Sequence, residues 1–254
     1  MRITLIGSGN VATHLGAALK NAGHKIVQVW SQNLQHAALL AYHIKAEPIA
    51  QLNELSAETD LIIISIKDDA LEEVASFINL KNVLVVHTSG AVSMQVLQKY
   101  FNNCGVFYPL QTFSKVRELD FRSVPLCIES TDKNSMQVLL DLGRTISNNV
   151  QIIDSDQRKI LHVAAAFACN FPNYLFGLAA DLLQQNHMDF SLLKPLILET
   201  ALKVQEHQPK NVQTGPAIRR DEKTMQMHLS LLEQHPALQE IYKLLSQGII
   251  KMGG

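Results

Sequence analysis

A turn near the start of the chain has the glycine spacing that binds the phosphates of a dinucleotide. Gly7, Gly9 and Ala12 form the pattern G-x-G-x-x-A, which follows an apolar strand and opens a helix. The first glycine allows a tight turn, the second lets a pyrophosphate approach the backbone, and free N–H groups at the helix start would face the phosphates. An ordinary tight turn between a strand and a helix is the alternative. The predicted phosphate contacts are Gly7, Ser8, Gly9, Asn10 and Val11.

The residues after the second predicted strand indicate which dinucleotide would bind. An NAD site usually has Asp or Glu there, and this chain has Ser31, Gln32 and Asn33 instead. A carboxylate would repel a 2′-phosphate, so its absence favours NADP, with NAD as the less favoured cofactor. No Arg lies nearby in sequence to bind that phosphate. The alternative is that these three residues only cap the next helix.

Two further predicted strands end in polar residues. Ser65 and Lys67 follow one of them, and His87 and Ser89 follow the next. Because ligands bind outside the carboxyl ends of strands in open α/β sheets, we assign Ser65 and Lys67 to the cofactor. His87 could donate a proton to a substrate, and Ser89 could orient it. The alternative is a turn in which the hydroxyl groups bond their own backbone.

Polar residues also gather on one side of a long apolar helix that begins near residue 155. At about 100° per residue, Arg158, His162, Cys169 and Asn173 lie close together on a helical projection. Asn170 lies at the edge of that face. A buried polar stripe needs a partner, which is another helix, water or a ligand.

A later turn offers an anion-binding residue. Arg219 could hold a carboxylate or phosphate of a substrate, and Asp221 and His228 share a helix face. The alternative is that Asp221 caps its helix while Arg219 stays solvated. Three scattered cysteines and ten histidines without paired ligand spacing predict no metal site.

The elements that would position these residues change character part-way along the chain. Apolar strands alternate with helices as far as Ile153, and only helices are predicted afterwards. The fold class is therefore α/β, a Rossmann-like doubly wound, mostly parallel sheet followed by an all-helical C-terminal domain. We predict a dinucleotide-binding domain over residues 1–153 and a helical substrate and dimerisation domain over residues 154–254.

Composition excludes several other classes of function. The 254 residues are 47% hydrophobic and 18% charged, with a net charge of −1, so we expect neither nucleic acid nor a membrane as a partner. The most apolar stretch, residues 163–183, contains Asn, Pro and Asp, which favours a buried helix over a membrane span. Scattered cysteines and a core strand at the N-terminus favour the cytoplasm.

Several segments together resemble a known bacterial family. They are residues 7–12, 87–91, 108–113, 161–171 and 214–228, which run in order across nearly the whole chain. The family comprises predicted oxidoreductases with a Rossmann-like N-terminal domain and a C-terminal helical domain of unknown function. It is similar to pyrroline-5-carboxylate reductase, ketopantoate reductase and the β-hydroxyacid dehydrogenases.

The resemblance implies a substrate site between the two domains and a homodimer formed through the helical domain. The residues that it would gather around the nicotinamide are His87, Ser89, His162, Asn170, Thr214, Arg219, Asp221 and His228.

The leading interpretation is an NADP-dependent oxidoreductase that moves a hydride between nicotinamide and a small, possibly anionic, C=O or C=N substrate. His162 or His87 would donate the proton, Asn170 and Ser89 would orient the substrate, and Arg219 would hold an anionic group. The alternative function is a nucleotide-binding sensor or assembly protein without turnover, because such a protein needs the same nucleotide site.

Overall fold

The computed structural model describes residues 1–80 and 82–253. The chain divides into two compact units, Met1–Cys169 and a second unit that begins at Asn170. The first unit contains the sheet and the second is helical.

An eight-stranded sheet forms the centre of the first unit. Its strands lie in the order β3-β2-β1-β4-β5-β6-β7-β8, and all neighbours are parallel except β6 and β7. The first six positions have the strand order of a Rossmann fold. The strands are β1 Arg2–Ile6, β2 Lys25–Trp30, β3 Glu47–Ile49, β4 Leu61–Ile64, β5 Leu84–His87, β6 Cys104–Pro109, β7 Leu126–Ser130 and β8 Val150–Ile152.

Helices cover both faces of this sheet. All four residues of β4 are buried, as expected for a strand with helices on each side. The apolar side chains form separate clusters on the two faces. The helices are α1 Asn10–Asn21, α2 Leu34–Ile44, α3 Leu71–Ser76, α4 Gln95–Gln98, α5 Lys133–Ile146 and α6 Ser155–Ala165. The predicted fold class is confirmed for this unit.

Helix α6 packs with the sheet, so the first unit extends beyond the predicted boundary at Ile153. Arg158 is fully buried and its Nη1 lies 2.5 Å from Glu129 Oε2 on β7. Leu161 packs against the cluster that Val106, Tyr108 and Cys127 form. These contacts bind α6 to β6 and β7, and the change of unit therefore falls after Cys169.

The second unit is helical, as predicted. Among the described residues, no strand follows Ile152. A π-helical turn, Ala166–Asn170, precedes α7 and was not predicted from the sequence. The helices are α7 Phe171–Gln185, α8 Lys194–Glu206, α9 Glu222–Leu231 and α10 Pro236–Met252.

The apolar stretch at residues 163–183 is not buried within the chain, so the prediction of a buried helix is wrong for a single copy. Tyr174, for example, is 60% exposed. The helical stretch Ser155–Gln185 is long and apolar enough to cross a membrane by length and composition alone, since it contains an 18-residue window with a mean hydropathy of 1.3. Helices of proteins that never enter a membrane also satisfy that criterion.

Candidate functional site

The glycine turn between β1 and α1 is shaped to admit a ligand. Gly7 has a φ of 120°, and a Cβ on it would lie 2.0 Å from the carbonyl oxygen of Ser65. A Cβ on Gly9 would meet no atom within 4 Å. Gly9 is the N-cap residue of α1, so no capping side chain occupies the N–H groups at the start of this helix. The backbone therefore opens onto free space where the N–H groups of the first helical turn are available to phosphate oxygens.

A cavity of about 920 Å³ extends from this turn along the carboxyl ends of the parallel strands. This is where ligands bind in open α/β sheets. Most of the residues predicted for the site line the cavity. They are Gly7, Ser8, Gly9, Asn10, Val11, Ser31, Gln32, Ser65, Lys67, Ser89 and His162.

The corner beside β2 is polar and carries a positive charge that sequence analysis missed. The hydroxyl of Ser8 donates to the hydroxyl of Ser31 at 2.9 Å. Lys115 Nζ donates to the carbonyl oxygen of Ser8 at 3.0 Å. His36, in the first turn of α2, also lines the cavity. No local pattern could have identified Lys115, because it is distant in sequence from the strands that it approaches.

Asn33 has a structural role next to that corner. Its side-chain oxygen accepts hydrogen bonds from the backbone N–H groups of Gln35 and His36, and α2 begins at Leu34. Asn33 does not line the cavity with Ser31 and Gln32. The capping alternative therefore holds for Asn33, while the other two residues face the cavity.

Hydroxyl groups at the ends of β4 and β5 are bonded to each other and to the backbone. Thr88 Oγ1 donates to Ser65 Oγ at 3.1 Å, which ties the two strand ends together. Ser89 Oγ accepts from the N–H groups of Ala91 and Val92 at 3.1 and 3.0 Å. Ser89 lines the cavity and also closes its own turn, so both explanations of this residue have support.

The structure corrects the assignment of His87 as a proton donor. His87 is fully buried and does not line the cavity. Its Nδ1 accepts the N–H of Ser89 at 3.1 Å. Burial, with the nearby charge of Arg158, lowers the pKa of His87 to about 3, so the ring stays neutral. A neutral ring without access to the cavity cannot protonate a substrate there, and His87 instead shapes the turn.

His162 reaches the cavity from α6 and meets Tyr108 at the end of β6. The phenol oxygen of Tyr108 lies 3.1 Å from His162 Nδ1, and the two rings are T-shaped with centroids 6.1 Å apart. Burial raises the pKa of Tyr108 to about 12, so its hydroxyl keeps its proton at neutral pH. This pair places an imidazole, which can transfer a proton, in the lining of the same cavity as the glycine turn.

Gly90 makes the approach of His162 possible. A Cβ at position 90 would lie 2.5 Å from His162 Nδ1 and 2.9 Å from the Tyr108 ring. Both distances are below van der Waals contact. Gly90 and Tyr108 both lie in motifs recognisable in the sequence, but the sequence alone predicts no role in the site for either of them.

The other predicted substrate residues lie in the second unit. Asp221 accepts from the backbone N–H and the hydroxyl of Thr224 at 3.1 and 2.8 Å, so it does cap α9. These bonds, with a smaller effect of Arg219, lower the pKa of Asp221. His228 Nδ1 lies 2.9 Å from the hydroxyl of Tyr242. The substrate contacts assigned to Asn170 and Arg219 stay predictions.

The described residues provide neither an activated cysteine thiol among the buried cysteines nor a cluster of metal ligands. Burial raises the pKa of Cys104 and of Cys127 to about 11, so both thiols stay protonated. Cys169 is exposed. Among residues 1–80 and 82–253, no cluster of three His, Cys, Asp or Glu side chains could hold a metal ion.

Two family models match the chain, one in each half. The model described as NADP oxidoreductase, coenzyme F420-dependent, matches residues 2–90. The model described as Domain of unknown function (DUF2520) matches residues 124–249. The comparison with curated proteins gives no match.

Solved structures match the chain over nearly its whole length. A provisionally assigned NADP oxidoreductase from Bacteroides fragilis is 45% identical, with a TM-score of 0.94 and coverage of 98% of each chain. An imine reductase from Myxococcus stipitatus in complex with NADP+ is 14% identical, with a TM-score of 0.68 and coverage of 100% of this chain and 95% of its own. A pyrroline-5-carboxylate reductase from Coxiella burnetii is 14% identical, with a TM-score of 0.59 and coverage of 99% and 96%.

The last two similarities show the fold alone, whereas the first shows common family membership. The sequence resemblance had indicated this family and its similarity to pyrroline-5-carboxylate reductase, but not the similarity to imine reductases. The chain therefore belongs to the bacterial family of oxidoreductase-type proteins that combine a Rossmann-like N-terminal domain with a C-terminal helical domain of unknown function.

Proposed function

We propose that this protein is an NADP-dependent oxidoreductase that transfers a hydride between nicotinamide and a small C=O or C=N substrate. The observation that carries the proposal is the cavity, which connects the glycine turn with the Tyr108–His162 pair. Such a cavity can hold a dinucleotide with its phosphates against the glycine turn and leave a proton donor in the same lining. The NADP oxidoreductase assignment of the Bacteroides fragilis relative supports the same cofactor.

The residues around the turn fit a dinucleotide. The open space at Gly9 and the first turn of α1 would take the pyrophosphate. Ser31 and Gln32 would lie at the adenosine ribose, where the lack of a carboxylate after β2 favours a 2′-phosphate. Ser65 and Lys67, which follow β4 and line the cavity, would also contact the bound cofactor. When bound, NADPH supplies the hydride.

His162 would complete the reduction by supplying a proton. Hydride addition to the carbon of a C=O or C=N bond leaves the electron pair on oxygen or nitrogen, which then needs a proton. Protonated His162 would donate its Nδ1–H to the Tyr108 oxygen and give its Nε2 proton to that atom, which leaves a neutral imidazole that takes up another proton from solvent. The imine reductase relative makes a C=N substrate a specific candidate.

The second unit would supply the rest of the substrate site. Asn170 would orient the substrate and Arg219 would bind an anionic group on it, with the helical unit also forming a homodimer. We place the reaction in the cytoplasm, because three scattered cysteines suit a reducing compartment. A net charge of −1 gives no reason to expect nucleic acid or a membrane as a partner.

Cofactor binding and turnover test the proposal separately. We expect NADPH to raise the melting temperature of the protein more than NADH does at equal concentration, because ligands stabilise the state that binds them. Gly9→Val should lose this stabilisation, since a branched side chain would fill the space for pyrophosphate. The melting temperature of the ligand-free variant controls for misfolding. Unchanged NADPH affinity in the variant would rule out this placement.

Turnover would be followed as loss of NADPH absorbance at 340 nm with a panel of small cyclic imines, ketones and oxo acids. Oxidation of NADPH that depends on one of these compounds supports the proposed oxidoreductase activity. Tight NADPH binding without oxidation across the whole panel would favour the alternative function, a nucleotide-binding sensor or assembly protein without turnover.

A further inference from the structure

We propose that Lys115 binds the 2′-phosphate of NADP and gives the protein its preference for NADP over NAD. This inference rests on the proposed function, since it assigns one residue to the same cofactor site. A 2′-phosphate adds negative charge to the adenosine ribose and needs a cationic partner to be favoured. The residues directly after β2, Ser31, Gln32 and Asn33, supply none.

A hydrogen bond to the glycine turn places Lys115 at that corner. Its Nζ donates to the carbonyl oxygen of Ser8 at 3.0 Å, and the Ser8 hydroxyl in turn donates to Ser31 Oγ at 2.9 Å. Ser31 is where an NAD site would hold its acidic residue. An ammonium group has three N–H donors, and one of them is used here. The remaining donors are available to a phosphate bound between Ser31 and the glycine turn.

The segment that carries Lys115 is fixed to the glycine turn and to α1. Asn10 Nδ2 donates to the carbonyl oxygen of Phe113 at 2.9 Å, and His14 Nε2 lies 2.9 Å from the carbonyl oxygen of Ser114. The ring of Phe113 stacks on Phe121 with centroids 6.0 Å apart. A lysine held in this way loses less conformational entropy on binding than one on a free loop.

Other charged groups that line the cavity are placed differently. Lys67 and Asp68 follow β4, and Glu73 lies on α3. His36 lines the same cavity, but an imidazole, unlike an ammonium group, has no permanent charge to attract a phosphate. Lys115 is therefore the cation that best accounts for discrimination between the two nucleotides.

The test compares dissociation constants for NADPH and NADH in the full-length protein, measured by calorimetric titration. We expect Lys115→Met to weaken NADPH binding about 10-fold or more and NADH binding less than about 2-fold, because a charge-assisted bond is lost with only one of them. The loss of NADPH affinity caused by Lys115→Met should become smaller as the salt concentration is raised. Lys115→Arg, which keeps the charge, should retain the preference for NADPH.

Arg117→Met is the matched control, because it removes a positive charge from the same segment at a position that does not line the cavity. It should leave both affinities unchanged. Equal losses for NADPH and NADH in Lys115→Met would assign the lysine to the pyrophosphate and overturn the proposal, as would no loss at all. If the wild-type protein bound neither nucleotide, the proposed function itself would fail.

Discussion

At the scale of single residues, His162 and His87 show how burial decides chemistry. Both are histidines close to Gly90, and sequence analysis treated both as possible proton donors. His162 lines the cavity and contacts Tyr108. His87, in contrast, is fully buried, and burial lowers its pKa to about 3. Access to the cavity, and not residue type, therefore separates the two, and it is the reason for proposing His162 as the acid.

Substitutions of His162 and Tyr108 should separate catalysis from cofactor binding. With a substrate identified, His162→Ala should lower kcat/KM about 100-fold through loss of the general acid. Tyr108→Phe should lower it less, about 10-fold, because the imidazole stays but loses the hydroxyl that orients Nδ1. Stopped-flow measurement of NADPH oxidation would give both values.

The control for this pair is the dissociation constant of NADPH, which should stay within about twofold of wild type, a change of less than about 0.5 kcal/mol. A ¹⁵N NMR spectrum of the imidazole gives an independent check, since Tyr108→Phe should change the ratio of the two His162 tautomers. Loss of nucleotide binding in His162→Ala would instead make the residue a cofactor contact or a structural one.

Sequence was informative about residues whose roles depend on local backbone geometry. The glycine turn follows from the spacing of Gly7 and Gly9, and most of the predicted cofactor residues do line the cavity. Lys115 and the Tyr108–His162 pair depend on contacts between distant segments, which spacing along the chain does not encode. The burial of His87 depends on the helices packed around β5, so it too was beyond local sequence.

At the scale of elements, α6 is attached to the sheet by a buried ion pair. Arg158 Nη2 donates to the carbonyl oxygen of Val92 at 2.6 Å and to Ser155 Oγ at 3.1 Å, in addition to its bond to Glu129. Ser155 Oγ also donates to Glu129 at 2.8 Å. This network holds the helix that carries His162, so it positions the proposed acid without touching the cavity.

Glu129→Gln should destabilise the protein strongly. The substitution leaves the fully buried guanidinium of Arg158 without its counter-charge, and breaking such pairs costs about 3 kcal/mol or more. The midpoint of urea unfolding should therefore fall clearly, as monitored by circular dichroism. Because α6 would also shift, NADPH oxidation should decline in the folded variant.

The matched control is Asp141→Asn, which breaks the Arg144–Asp141 pair on the surface of α5, where both side chains are more than half exposed. Such pairs contribute about 0.5 kcal/mol or less, so its unfolding midpoint should stay near that of wild type. Equal effects of the two substitutions would show that the buried pair has no special role in holding α6.

The strands and most helices were predictable because their apolar patterns match their burial. Residues 61–64 form an unbroken apolar run that is the buried strand β4, for example. The end of the first unit was not predictable from the change in periodicity at Ile153. Arg158 and Leu161 attach α6 to the sheet through contacts with β6 and β7, and a helical pattern alone does not show which neighbour a helix packs against.

At the scale of the whole molecule, the second unit leaves much apolar surface uncovered. On α8, Leu196 and Leu198 are 61% and 60% exposed although they point to different sides of the helix. A helix that is apolar on more than one side is normally covered. Because closed two-fold dimers are the commonest assembly of identical chains, we propose that a second copy provides the cover.

Leu198→Lys should therefore weaken a homodimer in solution. Light scattering after size exclusion, over a range of concentrations, should give twice the chain mass of 28.3 kDa for the wild type and a shift towards the monomer for the variant. The lysine would place an unpaired charge in an apolar contact, which is costly. Gln205→Lys adds the same charge at an exposed polar position on α8 and should leave the mass unchanged. A wild-type protein that stayed monomeric at every concentration would contradict the proposal, and a dimer equally strong in Leu198→Lys would move the contact away from this part of α8.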